Sequence, residues 1–243
     1  MSEYKFPTET VELPSKGLIY PSDSPLRSGK VEMKYMTAKE EDILTNQAFI
    51  QQGVVLDKLL KALTLDKFNI KTLFPGDKNA LIVASRVLGY GKDYSFTIGK
   101  DDYSVDLSTL ENKTFDTSLI TSDGTFKFIL PSSENEVEFK FLTELDEEKI
   151  AQEIEGLKKV NKNSSSEVTT RLKHQIVAIN GSSDKNDIRE FVDTMLLASD
   201  SRALRMYIKD ISPDVNLSTT VKINGKEEEI DIPINLNFFW PDL

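Results

Sequence analysis

The spacing of hydrophobic and polar residues changes along this chain between one that is typical of helices and one that is typical of strands. The chain is therefore predicted to contain helical and β-rich blocks. Residues 31–35 alternate apolar and polar side chains, which is typical of a half-buried strand. In the segment VVLDKLLKALTL the apolar residues instead recur at helical spacing and fall on one face. The pattern predicts helices over residues 40–53, 54–65 and 76–91.

Start and stop signals support these helices. Thr37, followed three residues later by Glu40, has the spacing of a capping box, in which the two residues bond each other's backbone. For the third helix, Asp77 is the expected N-cap, and Gly89 or Gly91 is the expected end. These residue types favour helix ends over helix interiors, so they strengthen the prediction.

From about residue 94 apolar side chains recur at every second position, which indicates strands. YSFTIGKDDYSVDL predicts one hairpin, and TFKFILP with EVEFKFLT predicts a second. VKINGKEEEIDI predicts a third, because Asn-Gly between alternating strands is the strongest short hairpin signal. The first and third share a layout of apolar strand, Gly-Lys-acidic turn and alternating strand, and each follows a predicted helix. An internal repeat is one explanation of this likeness and chance is the other.

A second helical region lies between the β-rich segments. ELDEEKIAQEIEGLKKVNK has acidic residues early and lysines late, which suits the helix dipole. NKNSSSEVTTRLKHQIVAING predicts a further helix after its serine run. The amphipathic spacing from residue 184 to residue 214 predicts one long helix or two abutting helices.

The first 30 residues are rich in turn-forming residues. Pro14, Pro21 and Pro25 rule out a continuous helix and favour extended backbone before each proline. The apolar residues between them are too hydrophobic for a loose linker, so we expect an ordered arm that lies on the chain's own surface or on a partner's. The candidate contact residues of this arm are Leu13, Leu18, Ile19 and Tyr20.

The chain ends in INLNFFWPDL, which contains its only tryptophan. Phe238, Phe239 and Trp240 could each bury on the order of 150–250 Å². Exposed aromatic clusters promote aggregation, so we expect the tail to be docked. Its site is either the chain's own helices or another protein, and the three aromatic residues are further candidates for partner binding.

Together these patterns predict an α+β fold that is mainly helical, with two or three short β-hairpins and an extended N-terminal arm. The expected blocks form one or two compact domains. They are an arm (1–30), a strand with helices (31–93), a β-rich insert (94–143), a helical block (144–214), and a hairpin with the aromatic tail (215–243).

Composition narrows the class of protein. Of the 243 residues 39% are hydrophobic, which is enough for a core, and the net charge of −10 argues against nucleic acid as the main partner. The chain has no cysteine, which excludes disulfides, thiol catalysis and cysteine-ligated metals and fits a reducing compartment. It also has no run of 18 apolar residues and no signal-peptide pattern at its start, so we expect synthesis in the cytoplasm and no membrane contact.

The sequence contains no recognisable catalytic motif. His174 is the only histidine, and we interpret it as a surface or packed helix residue. A histidine-rich metal site is therefore impossible, although carboxylates alone could still bind calcium or magnesium. GYGK at 89–92 follows a helix, which is the wrong order for a phosphate cradle. We predict no catalytic, cofactor or metal residues, and the chain is more typical of a binding or structural protein than of an enzyme.

Five segments resemble the baseplate hub proteins of T-even-type contractile-tailed bacteriophages. They are LPSKGLIYP at 13–21, MTAKEEDILTNQAFIQQGVVLDKLL at 36–60, GDKNALIVASRVLGYG at 76–91, DSRALRMYIKDISPD at 200–214 and the closing FFWPDL. The resemblance implies a non-enzymatic component of the central hub that is made in the host cytoplasm and located in the virion tail. Other hub proteins, tail-tube proteins and further copies of the chain are the implied partners.

One departure from the family limits what the resemblance implies. In similar proteins, the hairpins that match 96–107 and 221–232 often carry paired cysteines of zinc-ribbon type. Here the turns are IGKDD and INGKE, without cysteine or histidine. Turn chemistry and packing must therefore hold these hairpins, and we do not expect a metal.

Two functions of different classes fit the resemblance. The chain is either a structural subunit that stays in the finished virion or an assembly chaperone that acts in the host cytoplasm and then leaves. A cell-wall hydrolase is a third alternative, but it would need a pocket with paired carboxylates, which no motif here predicts.

Overall fold

The computed structural model describes residues 7–98, 101–160, 166–223, 226–232, 234 and 236–239. Within these ranges the fold is mixed α+β, as the sequence predicts, with helices beside small antiparallel sheets. The helices are α1 Ala38–Leu44, α2 Gln47–Gln51, α3 Val55–Leu63, α4 Pro75–Tyr90, α5 Glu144–Val160, α6 Glu167–Gln175, α7 Lys185–Glu190 and α8 Ala198–Ile211. The strands are β1 Thr8–Glu12, β2 Lys30–Lys34, β3 Asp93–Ile98, β4 Asp101–Asp106, β5 Phe126–Ile129, β6 Glu136–Phe139, β7 Ile176–Ile179, β8 Ser218–Ile223 and β9 Lys226–Asp231.

All three predicted hairpins are confirmed, as β3–β4, β5–β6 and β8–β9. A further antiparallel pair joins β1 of the N-terminal arm to β2, from Thr8 opposite Lys34 to Glu12 opposite Lys30. The predicted alternation in β2 is also confirmed, because Val31 and Met33 are buried while their neighbours are not. Residues 8–12 of the arm are therefore held in a sheet.

The prediction of helix through residues 176–179 is wrong. Helix α6 ends at Gln175 and the chain continues as β7, which pairs with β6 through Val137 opposite Ile179. The physical reason is the run IVAI, whose branched side chains fit a pleated surface better than a helix. With β7 in place, the β5–β6 hairpin gains a third strand from the following helical block.

The predicted helix over residues 40–53 is interrupted. Its start is confirmed, because a carboxylate oxygen of Glu40 accepts a hydrogen bond from the backbone nitrogen of Thr37 at 3.0 Å. The Asn46 side chain then accepts from the backbone nitrogens of Ala48 and Phe49 and starts α2 as a second helix. An N-cap residue in the middle of the predicted helix therefore divides it in two.

The prediction that Asp77 caps the third helix is wrong. Helix α4 begins two residues earlier, at Pro75, and Phe74 is the N-cap residue. Proline favours the first helical position because its ring fixes φ and because no intrahelical acceptor is needed there. The predicted end is confirmed at Gly91, which has φ of +85°. Asp77 is left as a buried residue of the first helical turn.

The two hairpins that look alike in sequence have the same strand pairing. Each has six paired positions, and the turns between the strands lie outside the described residues. In both hairpins one more backbone hydrogen bond extends the pairing, from the nitrogen of Leu107 to the oxygen of Lys92 at 2.8 Å and from the nitrogen of Ile232 to the oxygen of Leu217 at 2.7 Å. This shared pairing fits the hypothesis of an internal repeat, which stays a prediction.

One hydrophobic core receives side chains from every predicted block. The arm contributes Leu13, the helices contribute Leu59, Leu81 and Leu204, and the three-stranded sheet contributes Phe139. Stacked and edge-on rings extend this core through the sheet, with the Phe126 and Phe139 centroids 5.6 Å apart. Contacts between blocks that are distant in sequence therefore stabilise the fold.

Candidate partner-binding surface

The structure places most of the N-terminal candidate residues in the chain's own core. Leu13, Ile19 and Tyr20 are buried, and Leu18 is half-buried. The segment turns sharply at Gly17, which has φ of +74°. A Cβ atom on Gly17 would lie 2.5 Å from the backbone nitrogen of Gly29, so only glycine fits there.

The carboxylate of Asp77 fixes this arm to α4. It accepts hydrogen bonds from the backbone nitrogen of Ser15 at 2.9 Å, from the Ser15 hydroxyl at 2.6 Å and from the Tyr20 hydroxyl at 2.7 Å. The Tyr20 oxygen in turn accepts from the backbone nitrogen of Phe74 at 3.1 Å. Buried polar groups that are fully hydrogen-bonded in this way define a single arrangement of the elements that carry them.

Burial dominates the electrostatics of this cluster. It raises the pKa of Asp77 above its ordinary value, although the hydrogen bonds from Ser15 and Tyr20 act in the opposite direction. Burial, followed by the charge of Asp77, also raises the pKa of Tyr20 far above the usual range. The Tyr20 hydroxyl therefore stays protonated and remains a hydrogen-bond donor.

The tail also docks on the chain itself. Phe238 and Phe239 are fully buried, and the Phe238 ring lies 4.9 Å from the ring of Tyr94, measured between centroids. Of the two docking sites expected for the tail, these two residues therefore occupy the one on the chain itself. Trp240 lies outside the described residues, so its contacts stay a prediction.

Arg86 of α4 holds the tail by its backbone. This side chain is only 1% exposed. Its Nε donates to the carbonyl oxygen of Phe238 at 2.9 Å, and its terminal nitrogens donate to the carbonyls of Gly91 at 2.7 Å and Asp93 at 3.1 Å. The planar guanidinium thereby joins the tail, the end of α4 and the start of β3.

Sequence reasoning missed both Arg86 and the role of Asp77. The available signal for Arg86 was its position within an otherwise apolar stretch, LIVASRVLGY, where a lone charge needs internal partners. For Asp77, the signal was Pro75, which marks an earlier helix start and moves the aspartate inside the helix.

The five segments that resemble hub proteins meet on α4. The arm reaches it through Asp77, the tail through Arg86, and α3 through an ion pair between Asp57 and Lys78. The segment after α8 crosses at Gly76, where an added Cβ would lie 2.0 Å from the carbonyl oxygen of Pro213. Helix α4, which is itself one of the five segments, is thus the common support of the other four.

The described residues contain no acidic or histidine cluster of metal-binding size, and the only histidine of the chain makes an interhelical contact. Among the described residues, no three or more acidic or histidine side chains are grouped so that they could hold a metal ion. His174 lies in α6, and its Nε2 is 2.9 Å from the carboxylate of Glu153 on α5, which is an ordinary interhelical contact. None of the helices in the described ranges combines the length and the apolar character needed to cross a bilayer.

A wide groove of the described surface lies beside α3 and the loop that follows it. Its volume is about 910 Å³. Its apolar part includes Val54, Leu65 and Phe68, and Leu65 is 49% exposed. We call this feature the lysine groove, after four of its lining residues, which are Lys58, Lys61, Lys67 and Lys71.

Both carboxylates that line the lysine groove already have partners. Asp57 pairs with Lys78 of α4, and Asp66 accepts from the backbone nitrogen of Glu32 at 3.0 Å. Lys71 pairs with Glu148 of α5. The other three lysines make no ion pair within the described part of the chain, so they give the groove a local positive charge.

Comparison with known proteins identified no relative of this chain. No family model, no curated protein and no solved structure matches this chain.

Proposed function

We propose that this chain is a structural component of the central hub of a phage tail baseplate and that it acts through protein–protein contacts in virion tail assembly. Other hub proteins, tail-tube proteins and further copies of the chain are the partners in this proposal. The chain is made in the host cytoplasm and is located in the virion tail. It performs no catalysis, and it binds neither nucleic acid nor a membrane.

The observation that carries the proposal is the convergence on α4, itself one of the five segments on which the resemblance rests, of the other four. Ser15 of the arm and Asp77 of α4 are 62 positions apart, and Arg86 and Phe238 are 152 positions apart, yet each pair is in direct contact. Segments that share a fold with a family are expected to meet in space, because their residues are kept together by common packing.

The finer architecture belongs to the same proposal. The arm predicted over residues 1–30 is described from residue 7, where it forms β1 and then a series of turns fixed by Asp77. A mainly helical body that holds an arm and an aromatic tail suits a subunit of a larger assembly, in which such segments determine how neighbours fit. Leu18, which is half-buried, remains a candidate that could reach a partner without opening the core, and Trp240 remains a candidate from the sequence alone.

Quantitative mass spectrometry tests the proposal on purified particles of the phage that encodes this chain, beside infected-cell lysate. A structural subunit is present in particles at a constant ratio to the tail-tube protein. Abundance in the lysate together with absence from particles would overturn the proposal and identify the chain as an assembly chaperone.

A further inference from the structure

We infer that the lysine groove is the docking site for an acidic, amphipathic segment of a partner protein. The inference deepens the proposed function, on which it rests for the partner being a protein of the same assembly. It assigns a surface and a partner chemistry, neither of which is implied by the contacts that hold the arm and the tail.

The apolar part of the groove provides an anchor point. Leu65 is 49% exposed and lies between the end of α3 and the half-buried Phe68. A partner side chain that covered Leu65 and the exposed edge of Phe68 would remove apolar surface from water at about 25 cal/mol per Å². Anchors of this kind at the centre of a contact provide most of the binding free energy in protein interfaces.

The charge around this anchor favours a partner of the opposite sign. Within the described part of the chain, Lys58, Lys61 and Lys67 have no carboxylate partner, although the net charge of the chain is −10. Exposed lysines elsewhere include paired ones, such as Lys92, and unpaired ones, such as Lys39, but the groove brings three unpaired lysines together around one exposed apolar residue. An acidic segment would complete the pairing and would be attracted to this groove by the local field.

The spacing of the cations fits a protein segment. Lys58 and Lys61 are three residues apart on α3, so their side chains are neighbours on one helix face. The ammonium group of Lys58 also lies 5.6 Å from the ring centre of Phe49, which places this charge at the edge of the groove. Carboxylates one helical turn apart on a partner would face both lysines while an apolar residue covered Leu65.

Nucleic acid fits this groove less well. A phosphate backbone has no apolar side chain that could cover the exposed Leu65, whereas an amphipathic protein segment has one. A second groove, of about 450 Å³ between α5, α6 and α7, is also rich in cations. Half of its cations are paired, as in Lys140 with Asp146, and the isoleucines that line it, Ile176 and Ile188, are buried, so it offers no exposed apolar anchor to an amphipathic partner.

A peptide-binding experiment on the purified full-length chain tests the inference. The probe is a fluorescein-labelled amphipathic peptide of about 12 residues, roughly three helical turns, made only of glutamate and leucine. One control peptide has lysine in place of glutamate, and another has serine in place of leucine. Fluorescence anisotropy is expected to show saturable binding of the probe alone, with an affinity that falls as salt is raised.

Matched variants locate the binding site. The double variant Lys58→Glu/Lys61→Glu is expected to weaken binding of the probe at least about tenfold, because two attractive charges become repulsive. Lys39→Glu/Lys113→Glu makes the same change of charge at exposed positions outside the groove and is expected to stay within about twofold. Leu65→Ser is expected to weaken binding several-fold, while Ile129→Ser, which alters a residue 63% exposed on β5, leaves it unchanged.

Several results would overturn the inference. They are absence of saturable binding, equal binding of the lysine peptide, and an equal loss of affinity in the two double variants. Sedimentation velocity tests the alternative that a second copy of the chain occupies the groove. If the wild-type chain self-associates and Lys58→Glu/Lys61→Glu abolishes this, the groove holds a second copy and the inference is wrong. Because these measurements use the isolated chain, their failure is distinguishable from absence of the chain in virions.

Discussion

The Nε atom of Arg86 donates to the backbone carbonyl oxygen of Phe238 at 2.9 Å across 152 positions of sequence. A cation in the middle of a helix therefore holds the C-terminal tail by its backbone, whereas the two phenylalanine rings fill the core beside it. This arrangement makes the tail part of the fold, so its loss affects stability before it affects assembly.

Replacement of a tail anchor tests this directly. Phe238→Ala is expected to lower the free energy of unfolding by about 3–5 kcal/mol, because a fully buried ring is replaced by a cavity. In a chain of this size that loss lowers Tm by roughly 2–4 °C per kcal/mol. Phe238→Leu is the matched control, and its smaller loss is measured in the same urea titration. Equal melting of wild type and Phe238→Ala would contradict self-docking.

The contact between Gly76 and the carbonyl oxygen of Pro213 gives a second prediction. Gly76→Ala is expected to destabilise the chain by at least about 2 kcal/mol, because its Cβ would lie 2.0 Å from that oxygen. Gly156→Ala on α5 is the control, since no atom lies within 4 Å of its Cβ position. Alanine favours a helix interior over glycine, so this variant should be stabilised by up to about 1 kcal/mol.

Thermal or urea unfolding of the two alanine variants shows whether helix propensity alone or packing against Pro213 determines the effect of alanine at Gly76. If both gained stability, the chain that follows α8 would not be packed against α4 as the structure shows. The same result would remove the support for a common framework of the five segments.

Asp77 gives a prediction with a defined pH dependence. Because burial raises its pKa in the folded chain above the ordinary 3.8, its contribution to stability is fully present below that value and is lost as pH rises through the folded pKa. The stability difference between wild type and Asp77→Asn is therefore expected to be largest in acid and to shrink towards neutral pH. Urea titrations at several pH values measure it, and a difference that grows with rising pH would contradict this account.

Glu40 is expected to behave in the opposite way. Burial alone would raise its pKa, but bonds from Lys34 and Thr37 outweigh burial and hold the pKa below the ordinary 4.5. Its stabilising contribution is present above that ordinary value and is lost as pH falls through the lowered folded pKa. The loss of stability in Glu40→Gln should thus be greatest near neutral pH and should diminish in acid. An exposed carboxylate, Asp42, provides the control as Asp42→Asn.

Local sequence signals accounted for much of the fold. The hairpins β3–β4, β5–β6 and β8–β9 were predictable because alternation and turn residues act over a few positions. Strand β7 was not, because its conformation depends on the edge of β6 that it pairs with, about 40 positions earlier. The break at Asn46 was present in the sequence as an N-cap residue but was outweighed by the helical periodicity around it.

The candidate surfaces were predictable only in part. The hydrophobicity of the arm and the tail correctly indicated that both are ordered in their described parts, with Leu13 and Phe238 in the core. Their docking residues, Asp77 and Arg86, could not be assigned, because nothing local specifies a partner far away in the chain. The lysine groove was missed for another reason: its charge stands out only once the carboxylates nearby, such as Asp57, are seen to have other partners.

The central claim, a structural role in the baseplate hub, is tested most directly by electron cryomicroscopy of tails from the phage that encodes this chain. If the chain is a hub subunit, the centre of the baseplate is expected to contain density into which α4 fits together with the arm and the tail that are docked on it. A baseplate reconstruction fully explained by other proteins, with no density left for this chain, would contradict it.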